Sequence, residues 1–146
     1  MTCDCGFTQN FEIQGGNFSR AGVISSKIKE ILQELGIDIG IIRRVAIAAY
    51  EAEMNVVMYA DKAVVTINLN PDGIQLIFQD EGQGIRDIAL AMQEGYSTAT
   101  DEMREMGFGA GMGLPNIKRN ADKFDVSSEL GRGTTLDIFF QFNGQK

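Results

Sequence analysis

The chain has 146 residues, no histidine, and a formal net charge of −7 at pH 7. This length supports a single domain over residues 1–146, and the missing histidine excludes a Ser-His-Asp triad, a histidine-ligated zinc site and a kinase that phosphorylates its own histidine. The acidic balance argues against nucleic-acid binding, because that affinity comes from Lys and Arg that neutralise phosphates.

The sequence carries no signal for a membrane or for secretion. No apolar run approaches the roughly 20 residues of a membrane helix, and residues 1–10 have neither the basic nor the apolar region of a secretory signal. Cys3 and Cys5 are too few for a disulfide framework, so reduced thiols are expected. We therefore expect a cytoplasmic protein in which residues 1–10 form a loose terminus.

Hydrophobic spacing divides the first half of the chain into helical and alternating segments. Pro71-Asp72-Gly73 is a turn signal, because Pro presets φ and Gly permits a positive φ, so the flanking strands are expected to form a hairpin. The predicted elements are a strand at Phe11–Gln14, a helix that begins at Asn17 or Ser19 and ends near Leu35, a helix capped by Asp38 that ends near Ala60, and strands at Ala63–Asn70 and Ile74–Gln79.

Glycine is concentrated in the second half, where nine of the 17 glycines fall between Gly82 and Gly133. The elements predicted after the hairpin are a short helix at Asp87–Gln93, a long polar loop at Gly95–Gly113, a helix at Leu114–Lys123, and strands at Phe124–Glu129 and Thr134–Phe142. The order of elements indicates an α/β protein, built as a two-layer α+β sandwich with a mixed, mainly antiparallel sheet covered on one face by helices.

The second predicted helix carries a narrow polar stripe on an otherwise apolar surface. With residues about 100° apart around the axis, Arg44, Glu51 and Asn55 fall within about 40° of one another, whereas Glu53 points nearly the opposite way. A solvent-facing stripe would explain these residues, but Asn is a poor mid-helix residue unless its side chain has a partner. The oxygen of Asn55 suits Mg²⁺, and Glu51 is placed to bind an ion-bound water or to polarise an incoming hydroxyl.

Three glycine-containing loops accompany this stripe. Asp80-x-Gly82-x-Gly84 follows a strand, where the Asp can accept a hydrogen bond from an exocyclic amino group and the glycines admit a flat ligand. Gly107–Gly113 precedes a helix, whose N-terminus and backbone N–H groups favour phosphates. Gly131-x-Gly133-Thr134-Thr135 is by itself a hairpin turn. The P-loop and dinucleotide-binding glycine patterns are both absent, and each loop alone also fits an ordinary turn or a disordered segment.

Taken together and in this order, the helix with Glu51 and Asn55 and the three loops resemble the GHKL ATPase family, over roughly Phe11 to Phe140. The likeness is closest to the bacterial anti-sigma factor kinases and the switch kinases of the stressosome. Sensor histidine kinases of the family usually carry Lys three residues after the Asn, where this chain has Met58. The resemblance implies the Bergerat ATP-binding fold, with ATP and Mg²⁺ as cofactors.

The resemblance also implies roles for residues of this chain. Asn55 would coordinate Mg²⁺ on the triphosphate, and Glu51 would be the catalytic base or orient the attacking serine hydroxyl. Asp80 would read adenine, helped by Thr135 or Thr134 through a water. The remaining nucleotide-binding positions would be Gly82 and Gly84 at the adenine, and Gly109, Gly111, Gly113 and Leu114 around the phosphates. Arg104 is a further candidate for a phosphate contact, but it matches no motif of the family.

The function implied is that of an ATP-dependent serine/threonine protein kinase of the anti-sigma or switch type. Its substrate would be a Ser or Thr on a STAS-domain antagonist protein, and it would regulate a sigma factor or stress signalling by partner switching. The alternative is a non-catalytic module that senses ATP or ADP and gates a protein partner through its lid. The apolar stripe of the first helix is expected to pack on the sheet and is also a candidate surface for a homodimer.

Overall fold

The computed structural model describes residues 6–82, 92 and 113–142. Its helices and strands in chain order are β1 (Phe7–Gln14), a short 3₁₀ helix (Phe18–Arg20), α1 (Val23–Glu34), α2 (Ile39–Tyr59), β2 (Ala60–Asn70), β3 (Gly73–Gly82), α3 (Gly113–Asn120), β4 (Lys123–Glu129) and β5 (Gly133–Gln141). The predicted helix at Asp87–Gln93 lies outside the described residues, apart from Met92.

The described strands form one sheet in the order β1-β2-β3-β5-β4. Every ladder between them is antiparallel, in agreement with the mainly antiparallel prediction. α2 packs against the sheet, and α1 and α3 pack against α2. The described elements therefore make two layers, as the order of predicted elements indicates.

The core lies between the helices and one face of the sheet. Side chains alternate across a strand, and Leu76 and Phe78 of β3 are buried on the face that α2 covers. α2 meets them with small side chains, among them Ala48, Ala49 and Ala52, which let the helix lie close to the sheet. This face of α2 is packed into the core, whereas Arg44, Glu51 and Asn55 of the same helix are only partly buried.

The opposite face of the sheet is polar. Asn68 Nδ2 donates a hydrogen bond of 3.2 Å to Gln75 Oε1, and Gln75 Nε2 donates one of 3.0 Å to Asp137 Oδ1. Thr8 Oγ1 extends this row by donating to Asn68 Oδ1 at 2.8 Å. The row crosses four neighbouring strands and pairs polar side chains that the alternation turns away from the core.

β1 begins at Phe7 rather than at Phe11, so the prediction of a loose terminus over residues 1–10 is wrong for its last residues. Phe7–Asn10 pair with Thr66–Leu69 of β2 along a continuous ladder. The sequence Phe7–Asn10 lacks apolar alternation, and its extended conformation is set by hydrogen bonding to β2.

The first helix begins at Val23, later than the predicted start at Asn17 or Ser19. Gly22, the residue before α1, has a φ of 93°, so the predicted helix cannot continue through it. Glycine adopts this left-handed conformation without a Cβ clash. The start of α2 is as predicted, because the carboxylate of Asp38 accepts a 3.0 Å hydrogen bond from the N–H of Gly40. None of the described helices combines the length and the apolar run needed to cross a membrane.

Candidate functional site

Glu51 and Asn55 lie one turn apart on α2, and both are partly exposed, with the buried residues Ala52, Glu53 and Met54 between them. The start of α3 lies against them: a Cβ built on Gly113 would be 3.8 Å from Asn55 Oδ1 and 4.0 Å from Glu51 Oε1. The structure thus brings Glu51, Asn55 and Gly113 together, as the sequence predicts. Two side-chain oxygens converge on the N-terminus of a helix, where unpaired N–H groups and the helix dipole favour anions.

Leu114 follows Gly113, but its side chain does not face Glu51 and Asn55. The side chain is buried in the hydrophobic core, with an exposed fraction of 5%. Only the backbone of Leu114 is therefore available to a ligand at the start of α3. Its apolar side chain anchors the helix start instead.

Arg44, predicted to share a stripe with Glu51 and Asn55, is bound to the far end of α3. Its Nη1 donates a 3.1 Å hydrogen bond to the carbonyl oxygen of Asn120, the last residue of that helix. It also forms an ion pair of 3.5 Å with Asp122 Oδ2. A cation at a helix C-terminus satisfies free carbonyls and complements the helix dipole. Arg44 therefore holds α3 against α2.

Asp80 lies on β3 and is tied to the β4–β5 hairpin. Its Oδ1 accepts a 2.9 Å hydrogen bond from the backbone N–H of Thr134. Burial raises the pKa of the Asp80 carboxyl above its ordinary value, and the hydrogen bond from Thr134 opposes that rise. Among the described residues, none donates to Oδ2 of Asp80, so that oxygen is available to a ligand donor.

Gly133 makes this arrangement possible. Its φ of 134° is one that side chains rarely adopt, and a Cβ there would collide with the backbone carbonyl of Asp80. The third glycine loop of the sequence is thus more than a turn, because it lets the hairpin approach β3 closely enough for the hydrogen bond between Thr134 and Asp80.

The sequence left open which of Thr134 and Thr135 accompanies Asp80. Side chains alternate along β5, and Thr134 is buried on the same face as Leu136. Thr135 pairs with Gln79 on the opposite, polar face of the sheet. The structure therefore brings Thr134 to Asp80 and places Thr135 on the other face of the sheet, and the role of either threonine at the adenine stays a prediction.

Gly82 ends β3 beside the junction of α2 and β2. A Cβ on Gly82 would lie 3.0 Å from the Cα and Cβ atoms of Ala60 and from the carbonyl oxygen of Tyr59. The glycine thus allows the end of β3 to lie against the end of α2. Its predicted role at the adenine stays a prediction, and Gly84, Arg104, Gly109 and Gly111 lie outside the described residues.

Glu53, the other glutamate of α2, points away from Glu51 and Asn55, as helical geometry predicts. It is 1% exposed, and its oxygens accept hydrogen bonds of 3.1, 3.1 and 2.9 Å from the N–H groups of Gly22, Ile24 and Ser25. Gly22 has no side chain with which to cap α1, and the carboxylate of Glu53 caps the helix instead. Glu53 is therefore a structural residue.

Asn116 of α3 belongs to the site although sequence reasoning did not find it. Its Nδ2 donates a 2.8 Å hydrogen bond to Glu51 Oε2. The two residues are 65 positions apart, so no local spacing connects them. The only sequence signal is the position of Asn116 in the first turn after the glycine loop.

Comparisons with known proteins show which family the chain resembles. A family model described as "Histidine kinase-, DNA gyrase B-, and HSP90-like ATPase" matches residues 40–144. Serine/threonine-protein kinase RsbT of Bacillus subtilis (strain 168) is 33% identical over 112 residues, which cover 74% of this chain and 78% of RsbT. The anti-sigma F factor of Thermoanaerobacter sp. (strain X514) is 34% identical over 94 residues, 61% of this chain and 62% of that protein. The anti-sigma F factor of Priestia megaterium is 33% identical over 91 residues, 62% of this chain and 55% of that protein.

Proposed function

The chain belongs to the histidine kinase-, DNA gyrase B- and HSP90-like ATPase family, and on that premise we propose that it is an ATP-dependent serine/threonine protein kinase. The family implies ATP binding, and the similarity to RsbT supports transfer to a protein hydroxyl. The proposed acceptor is a Ser or Thr on a STAS-domain antagonist protein, with a sigma factor or another regulator as the partner released by the phosphorylation.

The observation that carries this proposal is the convergence of Glu51 Oε1 and Asn55 Oδ1 at Gly113, the start of α3. A carboxylate, an amide oxygen and a helix N-terminus together offer what phosphoryl transfer needs: a proton acceptor, a ligand for a metal–phosphate complex, and N–H donors for phosphate oxygens. In a phosphoryl transfer the protein contributes mostly positioning and charge neutralisation, so three groups held together in this way are sufficient machinery.

Asp80 supplies the proposed adenine contact at a separate place on β3. Its Oδ1 is held by the N–H of Thr134, so Oδ2 would accept a hydrogen bond from the exocyclic amino group of adenine. Thr134, whose hydroxyl lies 3.0 Å from that of Ser128, would line the same pocket. A carboxylate with one oxygen fixed to the backbone presents the other in a defined direction, which favours a base that carries an amino group at the matching position.

The donors beside Gly113 fit a magnesium ion carried by the triphosphate. Mg²⁺ takes oxygen ligands and commonly only one or two from the protein, and the oxygens of Asn55 and Glu51 are of that kind. Asn55 would hold the ion directly. When bound, Mg²⁺ would neutralise charge on the triphosphate and polarise its phosphoryl oxygens.

In the proposed transfer, the acceptor hydroxyl oxygen forms a bond to the γ-phosphorus of ATP. The bond between that phosphorus and the β–γ bridging oxygen breaks, and ADP leaves with the bridging oxygen. The hydroxyl proton passes to Glu51 Oε1. Glu51 thus acts as the general base, a role that a chain without histidine must give to a carboxylate or another group.

The proposal is tested by incubating the purified protein with γ-labelled ATP, Mg²⁺ and a panel of purified STAS-domain proteins. We expect label on one acceptor, and none on the same acceptor after its reactive Ser or Thr is replaced by Ala. ADP-dependent binding of a partner, with no labelled acceptor in the panel, would contradict kinase activity and support the non-catalytic nucleotide-sensing module.

A further inference from the structure

Asn116 stands between a cation and the carboxylate of Glu51. Its Nδ2 donates to Glu51 Oε2 at 2.8 Å, and its Oδ1 accepts from Arg119 Nη1 at 2.7 Å. The backbone carbonyl of Asn116 also accepts a 2.8 Å hydrogen bond from Asn120 Nδ2. Both ends of the Asn116 side-chain amide therefore have charged partners, Glu51 on α2 and Arg119 on α3 itself.

These partners allow only one orientation of the Asn116 amide. A guanidinium donates and never accepts hydrogen bonds, and an ionised carboxylate accepts and never donates. Turning the amide over would set its NH₂ group against Arg119 and its oxygen against Glu51, so both contacts would become repulsive. Hydrogen bonds to charged groups are also the stronger ones, so the chain Arg119–Asn116–Glu51 holds the carboxylate in one rotamer.

The contact separates the roles of the two oxygens of Glu51. Oε2 is taken by Asn116, and Oε1 is the oxygen that lies 4.0 Å from a Cβ built on Gly113, on the side where Asn55 Oδ1 also lies. A glutamate without such a contact would be free to rotate about its terminal torsions. The fixed carboxylate instead presents a single oxygen at the start of α3.

We propose that Asn116 is a positioning residue for the phosphoryl transfer, holding Glu51 by Oε2 so that Oε1 meets the acceptor hydroxyl. The inference rests on the proposed kinase function, which supplies the hydroxyl and the general-base role of Glu51. Asn116 itself touches neither the acceptor nor the phosphates in this account. Its loss should therefore affect the rate of the chemical step and leave nucleotide binding unchanged.

The kinetic test compares Asn116→Ala and Asn116→Asp with Asn10→Ala, a control asparagine of β1 whose Oδ1 accepts from Thr66 Oγ1 on the face of the sheet away from the helices. Asn116→Asp keeps the shape of the side chain but replaces the NH₂ donor with an oxygen. We expect kcat to fall roughly 10- to 100-fold in both Asn116 variants, with KM and Kd for ATP within about twofold of wild type. Asn10→Ala should retain the wild-type kcat. A wild-type kcat in both Asn116 variants would overturn the proposal.

A second readout does not depend on activity. In ¹⁵N-labelled protein, Glu51→Ala removes the acceptor of the Asn116 amide and should move the side-chain amide resonances of Asn116, while those of Asn10 should stay in place. Unmoved Asn116 resonances would show that the contact is absent and would overturn the positioning role. If these resonances move but wild-type protein labels no acceptor, the kinase proposal fails while the contact stands; if wild type labels an acceptor and Asn116→Ala does so equally fast, the positioning role fails alone.

Discussion

Glu53 Oε1 accepts a 2.9 Å hydrogen bond from the backbone N–H of Ser25, which joins the middle of α2 to the first turn of α1. The carboxylate is 1% exposed and also accepts from Gly22 and Ile24. Two glutamates separated by one residue on α2 therefore have different tasks, because Glu53 fixes the packing of the two helices and Glu51 remains at the margin of the site.

Removing this buried cap should destabilise the fold. Glu53→Ala leaves the N–H groups of Gly22, Ile24 and Ser25 without their acceptor, and we expect a loss on the order of 3 kcal/mol in the free energy of unfolding. Urea denaturation measures the change. Glu34→Ala, an exposed substitution at the other end of α1, is the control and should stay within about 0.5 kcal/mol of wild type. Equal stability of the two variants would contradict the capping role.

Gly133 should tolerate a side chain much less well than Gly131 of the same hairpin. Both have a positive φ, but only at Gly133 does a Cβ meet the backbone of Asp80, and nothing lies within 4 Å at Gly131. We expect Gly131→Ala to cost about 1 kcal/mol from backbone strain and Gly133→Ala to cost about 2 kcal/mol more. Thermal and urea unfolding of the two variants test this difference, and equal losses would show that the clash is relieved without cost.

Asp80 should make opposite contributions to stability and to nucleotide binding. Because burial raises its folded-state pKa above 3.8, the native state binds a proton more tightly than the unfolded state does. The contribution of Asp80 to stability therefore falls as pH rises from about 3.8 through the folded pKa. Asp80→Asn keeps an oxygen for the N–H of Thr134, so above that window it should be as stable as wild type or more stable.

The same variant should bind ATP at least about 10-fold more weakly, because its NH₂ group would face the amino group of adenine as a second donor. Urea denaturation at several pH values and calorimetric titration with ATP measure the two effects. Unchanged ATP affinity would contradict the adenine contact. A stability advantage of wild type over Asp80→Asn that grows with pH would contradict the direction of the pKa shift.

The sequence predicted the elements whose signals are local, and missed the contacts between distant residues. Asp38 marks the start of α2 and Pro71-Asp72-Gly73 marks the hairpin, because caps and turns depend on a few adjacent residues. Phe7–Asn10 carry no such signal, since their strand is formed by pairing with β2. The interruption at Gly22 likewise depends on a buried carboxylate from another helix.

For the site too, the sequence predicted what depends on local spacing and missed what depends on contacts between distant residues. Helical periodicity is sufficient to put Glu51 and Asn55 on one face and Glu53 on another. The same periodicity puts Arg44 beside them, and only the contact with Asn120, 76 residues away, shows its structural role. The choice between neighbouring threonines depends on which face of β5 is buried, which requires the register of the sheet.

Arg44 should matter for the packing of α3 and not for the nucleotide. Arg44→Met keeps the apolar stem but removes the hydrogen bond to Asn120 and the ion pair with Asp122, so we expect a loss of about 1–2 kcal/mol in the free energy of unfolding. Kd for ATP should stay within about twofold of wild type. A large loss of ATP affinity with unchanged stability would contradict this structural role and place Arg44 at the nucleotide site.

Transfer of γ-phosphate from ATP to a STAS-domain acceptor, compared between wild type and Glu51→Gln, tests the central claim most directly. Gln keeps the size of the side chain and its acceptor oxygen for Asn116 but cannot take a proton at neutral pH. We predict that transfer slows by about 10²–10⁴-fold, while Kd for ATP measured on the same protein stays within about twofold of wild type. Transfer at the wild-type rate by Glu51→Gln would contradict the assignment of Glu51 as the general base.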